Sequence, residues 1–380
     1  MNRDRFPALR EGWARLDGPA GSQIVDSAIE AMADWMRSGS QANHGGAFKQ
    51  AHETDELVES TRVACATLLG GDPSGVVFGP SFTALTMRFA ATVVRELSAG
   101  DEIVCTRLDH DSNVRPWVIA AERAGAAVRF AEPVEGSLEL PASAVEAVLS
   151  ERTKWVAVTA ASNAVGSVPD LEGIVAAAHA VGAGVYVDAV HATPHRRNDL
   201  AALGADVIGC SAYKWFGPHV ALLCGRPEIM SAHHPDKLNP SPDESPDRWE
   251  LGTLPFESLA GVRAAAEYMR DLDFEAVHAH EQALLQSALD GLGAMDHVTL
   301  HGAAADRAPT LMFTVAGHHP TAVAQFLGER EIAVWDGNYY AWELERVLGL
   351  APHGGIRAGF LHYNDASDAE RLLAAVAELQ

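Results

Sequence analysis

From residue 75 to residue 223, short apolar runs alternate with alanine-rich helical patterns, and this alternation restricts the possible folds more than any other feature of the chain. The runs lie at 75–78, 102–105, 127–130, 155–158, 185–187, 207–210 and 220–223, with helical patterns at 81–97, 115–124, 141–150 and 170–180. They are apolar almost throughout rather than at every second position. That predicts strands buried on both faces: an α/β fold with a mostly parallel, seven-stranded sheet covered by helices. Ligands of such sheets bind beyond the carboxyl ends of the strands. Residues that directly follow the runs are therefore the candidates for chemistry.

The flanking regions follow other rhythms. Residues 16–21 are turn-rich and lead into a helical pattern at 25–36. A small, polar loop at 38–48 precedes a helix at 50–69, which Gly70-Gly71-Asp72-Pro73 stops. Residues 231–250, rich in proline and acid, read as an excursion. A helix pair at 257–292 then hands over to strands near 297–300, 310–315 and 331–335 and helices near 320–328, 341–348 and 366–379, an α+β pattern. Two domains of unequal size suit 380 residues. The expected division is an N-terminal segment at 1–24 that packs with the small domain, a large domain at 25–265 and a small C-terminal domain at 266–380.

A formal net charge of -23 argues against nucleic acid or an anionic membrane as partner, since both need a basic face. No stretch approaches the roughly 20 apolar residues of a membrane span, and residues 1–13 lack the apolar centre of a signal peptide. The expected location is the cytoplasm. Cys65, Cys105, Cys210 and Cys224 are scattered through apolar patterns, which predicts buried thiols, no disulfide framework and no metal site.

The run at 207–210 leads into Ser211-Ala212-Tyr213-Lys214-Trp215-Phe216-Gly217-Pro218. Lys214 is one of four lysines, with Lys49, Lys154 and Lys237, so 24 of the 28 basic residues are arginine. A guanidinium keeps its proton, whereas a lysine among apolar neighbours can lose it and attack a carbonyl. Lys214 reads as a Schiff-base lysine; a side chain snorkelling from a strand end is the alternative. Asp188 ends the run at 185–187, where a buried carboxylate needs a positive partner such as the ring nitrogen of a pyridine cofactor. Capping of the next helix is the other reading. His191, three residues on, is placed to reach a ring hydroxyl.

Ser81, Phe82 and Thr83 lie between a strand and a helix, a seat for phosphate or simply a helix cap. Ser211 and Tyr213 add donors. His110, after the run at 102–105, suits stacking on a flat ring, or belongs to a turn capped by Asp111 or Ser112. Asn163 holds the same position after its own run and is a candidate for the ring hydroxyl or the substrate. Arg357, set among glycines and apolar residues at 353–360, offers a fork for a carboxylate or makes a surface salt bridge. No G-x-G-x-x-G follows the first strand, which disfavours a dinucleotide. These parts together point to pyridoxal 5'-phosphate (PLP).

Over nearly the whole chain the residues resemble fold-type I PLP-dependent transferases of the class V aminotransferase group, specifically the cysteine desulfurase-like, SufS-like branch. The family's Ser-x-x-Lys-x-x-Gly-Pro is Ser211 to Pro218, its strand-end Asp-x-x-His is Asp188 to His191, and its histidine and asparagine before Pro-Trp lie within His110 to Trp117. Asn163 falls in the family's Ser-Asn-x-x-Gly. The resemblance implies that Lys214, Asp188 and His110 carry the chemistry and that Arg357 holds the substrate carboxylate. It further implies that Asn43 and His44 border the substrate. Thr253 is similar to a threonine that reaches the phosphate of a partner subunit, which implies a homodimer with shared active sites.

One departure bears on activity. In desulfurases of this branch a mobile loop presents a cysteine that takes sulfur as a persulfide. The corresponding stretch here, 331–342, has none, and Asn338, Tyr339 and further aromatics stand in its place. The expected function is C–S cleavage of an amino acid or a cysteine-derived conjugate without that cysteine, with Lys214 as the base at Cα. Transamination, epimerisation and decarboxylation-linked chemistry use the same parts. A catalytically silent PLP-fold binding protein would need none of Lys214, Asp188 and Arg357.

Overall fold

The computed structural model describes residues 3–39 and 43–379; residues 40–42 of the 38–48 loop lie outside the described residues. The seven apolar runs form one sheet. Its strands are β1 (Val76–Gly79), β2 (Glu102–Thr106), β3 (Ala127–Ala131), β4 (Thr153–Thr159), β5 (Gly184–Asp188), β6 (Val207–Ser211) and β7 (Ala221–Gly225). Their spatial order is β1-β7-β6-β5-β4-β2-β3. Strands β2 to β6 pair in parallel, whereas β7 is antiparallel to both β6 and β1. Connection length explains the exception, because a parallel neighbour requires a crossover of about a dozen residues or more. Only residues 212–220 separate β6 from β7, so the chain turns back at once. Lys214 sits in that turn.

An aromatic cluster on one face of the sheet positions the helix Phe82–Val93. Phe89 meets Trp155 edge-on at 5.2 Å and lies nearly parallel to Trp249 at 5.5 Å. The Thr86 and Tyr186 hydroxyls bond at 2.9 Å. The helix is thereby fixed with its N-terminus at the carboxyl end of β1. It stops at Val93 and gives way to a single tighter turn, Val94–Glu96. The helix expected at 141–150 is shorter still, Ala142–Glu146, because Ser150 and Thr153 exchange turn hydrogen bonds.

A second sheet follows, of β8 (Val298–His301), β9 (Thr310–Val315), β10 (Trp335–Gly337) and β11 (Gly355–Gly359), antiparallel throughout in the order β10-β11-β9-β8. The sequence reading missed β11, whose terminal glycines carry low strand propensity. Gly359 is needed there: a Cβ would stand 2.3 Å from Pro19 Cγ. The strand expected at 331–335 divides into β10 and Ile332–Ala333, which pairs in parallel with Ala14–Arg15. Ala14 and Leu16 join Leu311, Phe313 and Ile356 in one apolar cluster, so the N-terminal segment is built into the second sheet's core.

The excursion at 231–250 is tied down by a buried ion pair. Arg62, 2% exposed, bonds both carboxylate oxygens of Glu250 at 2.9 Å, and Glu250 also accepts from the Phe78 N–H in β1 at 2.8 Å. Removing one partner of a buried pair leaves the other charge uncompensated. Arg62→Ala is expected to lower the unfolding free energy by about 3–5 kcal/mol in denaturant titration. A loss within about 0.5 kcal/mol would match an ordinary surface substitution instead.

Candidate active site

The turn that carries Lys214 is held from outside by the N-terminal segment. The Ser22 N–H and hydroxyl both donate to the Tyr213 carbonyl, at 3.0 and 2.9 Å. The Phe216 N–H donates to the Ser22 hydroxyl at 2.8 Å, and the Val25 N–H to the Phe216 carbonyl at 3.0 Å. This clamp keeps Phe216 at φ 72, a left-handed conformation that a bulky residue adopts only where its surroundings impose it. Lys214 Nζ donates to the Pro19 carbonyl. The side chain is buried, and burial together with the nearby Arg357 pushes its pKa down to about 7, against the pull of Asp188. A free amine at neutral pH is a nucleophile and a base, which an ordinary surface lysine is not.

Asp188 closes β5 at 3% exposure and accepts the Val190 N–H at 2.9 Å. Burial pushes its pKa up to about 7, with that hydrogen bond and Lys214 opposing. A carboxylate so placed gains from a cation brought against it. Behind it Asp109, fully buried, is pushed up to about 8 by burial and accepts from the Thr106 hydroxyl and, at 2.7 Å, from the Asn113 amide. His110 accepts the Ser112 N–H at Nδ1, 3.0 Å away, and burial pushes its pKa down to about 3. It is therefore a neutral, oriented ring. His191, likewise held neutral by burial, bonds Thr310 Oγ1 through Nε2 at 2.9 Å.

Lys214, Asp188, His110 and His191 meet in one small cavity of about 90 Å³, which Ser81, Phe82, Thr83, Asn163, Ser211 and Tyr213 also line. Ser81 does cap the helix, its Oγ accepting the Ala84 N–H at 3.1 Å. Its own hydroxyl proton remains available to a ligand. A wider cavity of about 560 Å³ shares Lys214, His110, Asn163 and Tyr213 and adds Arg357, Tyr339, Tyr340 and Trp335. Arg357 lies on β11, buried, with its guanidinium 4.5 Å over the Tyr339 ring and Nη1 donating to the Asn163 carbonyl at 2.8 Å. Arg357 Nε and Asn163 Oδ1 are buried without a hydrogen-bond partner among the described residues. The surface-salt-bridge reading of Arg357 therefore fails.

Four expected residues lie elsewhere. Asn338 does not line either cavity; its Oδ1 accepts the Tyr340 N–H at 3.0 Å and shapes a turn in which Tyr339 and Tyr340 both have positive φ. Asn43 and His44 are exposed, and His44 faces Asp55 and Phe256. Thr253 shares a separate cavity with His44, and the Arg62–Glu250 pair anchors its segment to β1. Within one chain neither reaches Lys214. The sequence reading had Tyr340 only among the further aromatics of 331–342, and its ring lies 5.4 Å from that of His110; it missed Pro19, whose only signal was a turn-rich stretch.

A mostly parallel seven-stranded sheet with a buried lysine on the turn before its antiparallel strand has the architecture of a class, the fold-type I PLP-dependent enzymes. The family model described as aminotransferase class-V matches residues 14–372, and the chain belongs to that family. It is similar to an uncharacterized protein of Mycobacterium tuberculosis, 33% identical over 99% of this chain and 98% of that one. A cysteine desulfurase of Klebsiella pneumoniae is 30% identical over 100% and 97%. Among solved structures, a cysteine desulfurase of Thermococcus onnurineus superposes with a TM-score of 0.93 at 26% identity, covering 99% of this chain and 96% of the other. One from Escherichia coli gives 0.91 at 26% identity over 99% and 97%.

The residues present fit PLP: Asp188 is buried with no ion pair among the described residues, which a protonated ring nitrogen would supply, and the helix N-terminus at Ser81 offers free N–H groups for a phosphate. The depressed Lys214 pKa has a direct consequence. Below about pH 7 the amine is protonated and cannot attack; above it the neutral form dominates, some three units before an unperturbed lysine. The rate of PLP capture by the apoprotein, followed by stopped-flow absorbance, is expected to rise through pH 7 and level off by about pH 8. A rate still climbing tenfold per unit at pH 9 would contradict the assigned environment.

Proposed function

We propose that this PLP-dependent enzyme cleaves the C–S bond of a cysteine-derived conjugate, releasing a thiol, pyruvate and ammonia with the uptake of one water. The observation that carries this reading is the composition of the Lys214 cavity: an amine, an arginine fork and an aromatic wall, with no thiol. All four cysteines are buried elsewhere; burial pushes the Cys210 thiol up to about 12 and raises those of Cys65 and Cys105. None is poised to accept sulfur as a thiolate. Where a desulfurase of this branch carries its loop cysteine, Tyr339 and Tyr340 are pinned, the Asp111 N–H donating to the Tyr340 carbonyl at 2.7 Å and the Asn163 amide to that of Tyr339 at 2.9 Å.

When bound, PLP supplies an electron sink for the pair left at Cα. Lys214 would hold its aldehyde carbon, Asp188 its ring nitrogen, His110 its face, and Ser81, Thr83 and Ser211 its phosphate. Lys214 Nζ then takes the Cα proton and can return it to the departing sulfur. Arg357 holds the substrate carboxylate, its unpartnered Nε completing the fork. Tyr339, Tyr340 and Trp335 flank the side chain and shield it from water.

A homodimer belongs to this proposal, with Thr253 and His44 serving the partner's site. Their position in this chain away from Lys214, in a cavity with the exposed Leu238, supports that reading. No helix among the described residues is long and apolar enough to cross a membrane, in keeping with a cytoplasmic place of action.

Lys214→Ala is expected to reduce turnover of S-conjugates by at least about 10²–10⁴-fold, measured as pyruvate release. Arg357→Ala is expected to raise KM by roughly 10- to 100-fold with little change in PLP affinity. Pyruvate and thiol released together from S-conjugates support the reading. Formation of the pyridoxamine form with no thiol would replace it by transamination.

A further inference from the structure

Directly behind His191 lies a group of buried polar side chains that the proposed reaction leaves unused. His195 bonds Glu281 Oε2 through Nδ1 at 2.9 Å, with the two residues 4% and 1% exposed. The His195 ring meets that of His191 edge to face at 5.4 Å. Glu281 Oε1 is buried without a hydrogen-bond partner among the described residues. The members come from three parts of the fold: His191 and His195 follow β5, Glu281 lies on the helix Phe274–Gly293, and Thr310, which bonds His191 Nε2, opens β9.

A carboxylate buried with half of its lone pairs unmet is costly. If only packing were required, an apolar residue of similar size would serve as well or better. What the carboxylate adds is direction. As acceptor it fixes the proton of His195 on Nδ1 and the plane of that ring. The fixed ring packs edge to face with that of His191, whose Nε2 Thr310 holds. His191 is also faced by Asp188 from its own segment, Lys214 from the turn after β6 and Arg357 from β11. His362 lies near both His195 and His280. Among these neighbours on the His195 side, Glu281 is the acid.

We propose that Glu281 and His195 are positioning residues that orient His191 toward the ring oxygen of the cofactor, and that the Glu281 charge is felt there. This rests on the PLP reading above. It joins the helix Phe274–Gly293 and the second sheet to the electronics of the ring, so that two parts of the fold away from Lys214 bear on the reaction. Arrangements of this kind, a ligand-facing histidine backed by a carboxylate-bound partner, are how proteins fix a ring's tautomer and orientation.

The test is a spectrophotometric pH titration of the cofactor's visible band in the purified holoprotein, alongside thermal unfolding. Glu281→Gln keeps the shape and removes the charge. A negative charge favours the protonated form of the cofactor–lysine adduct, so the midpoint is expected to fall by about 0.5 unit or more. Glu281→Asp is expected to restore part of the shift, and Thr310→Val, which frees His191, to move the midpoint as well. An unmoved midpoint in Glu281→Gln, even with a lower Tm, would overturn the proposal and leave a packing pair only. Should that variant not fold, an unmoved midpoint in Thr310→Val would overturn it. Wild-type protein without any visible band would instead sink the PLP reading itself.

Discussion

A lysine cannot keep its proton cheaply when it is buried opposite a guanidinium, and the site is built on that constraint. Desolvation and Arg357 disfavour the ammonium, while Asp188 favours it, leaving Lys214 near neutrality. The same burial raises Asp188. Burial moves both groups away from their ordinary states and Arg357 on β11 adds to the effect on Lys214, while Asp188 at the end of β5 and Lys214 in the turn after β6 oppose it in each other. Nothing local to the Lys214 turn would produce this balance. It depends on the parallel sheet bringing β5 and β6 side by side and on the second sheet delivering Arg357 across the gap.

The N-terminal segment and the second sheet serve that delivery together. Ala14–Arg15 pairs with Ile332–Ala333, Pro19 packs where Gly359 leaves room, and Ser22 clamps the Lys214 turn. Arg307, on the approach to β9, donates to the carbonyls of Val165 and Thr310 at 2.7 and 2.9 Å. This fixes the 162–166 loop against β9, so that the Asn163 carbonyl can receive Arg357. Buried donors spent on backbone carbonyls are a means of specifying position where apolar packing alone would allow sliding.

Much of this was legible in the sequence. Strands with both faces buried announce themselves as continuous apolar runs, and the residues following them are aligned by the topology; hence Lys214, Asp188, His110 and Asn163 converge. Arg357 was legible as chemistry but not as structure, since glycines disguise β11. Asn338 was misjudged because a turn-forming side chain and a ligand-binding one look alike in sequence; its hydrogen bond to the Tyr340 N–H decides between them. The Pro19 carbonyl and the Glu281–His195 pair were invisible. One is a backbone atom and the other joins residues 86 positions apart, and no local pattern encodes either.

The central claim is that Lys214, alone among four lysines, is the residue to which the cofactor attaches. Borohydride reduction of the PLP-loaded protein, followed by proteolysis and mass spectrometry, addresses it directly. The account predicts a single pyridoxyl-modified peptide containing Lys214, because Lys49 and Lys154 are exposed or ion-paired at the surface and Lys237 is bonded to Ser241 and Asp243. Modification at another lysine, or none, would contradict it.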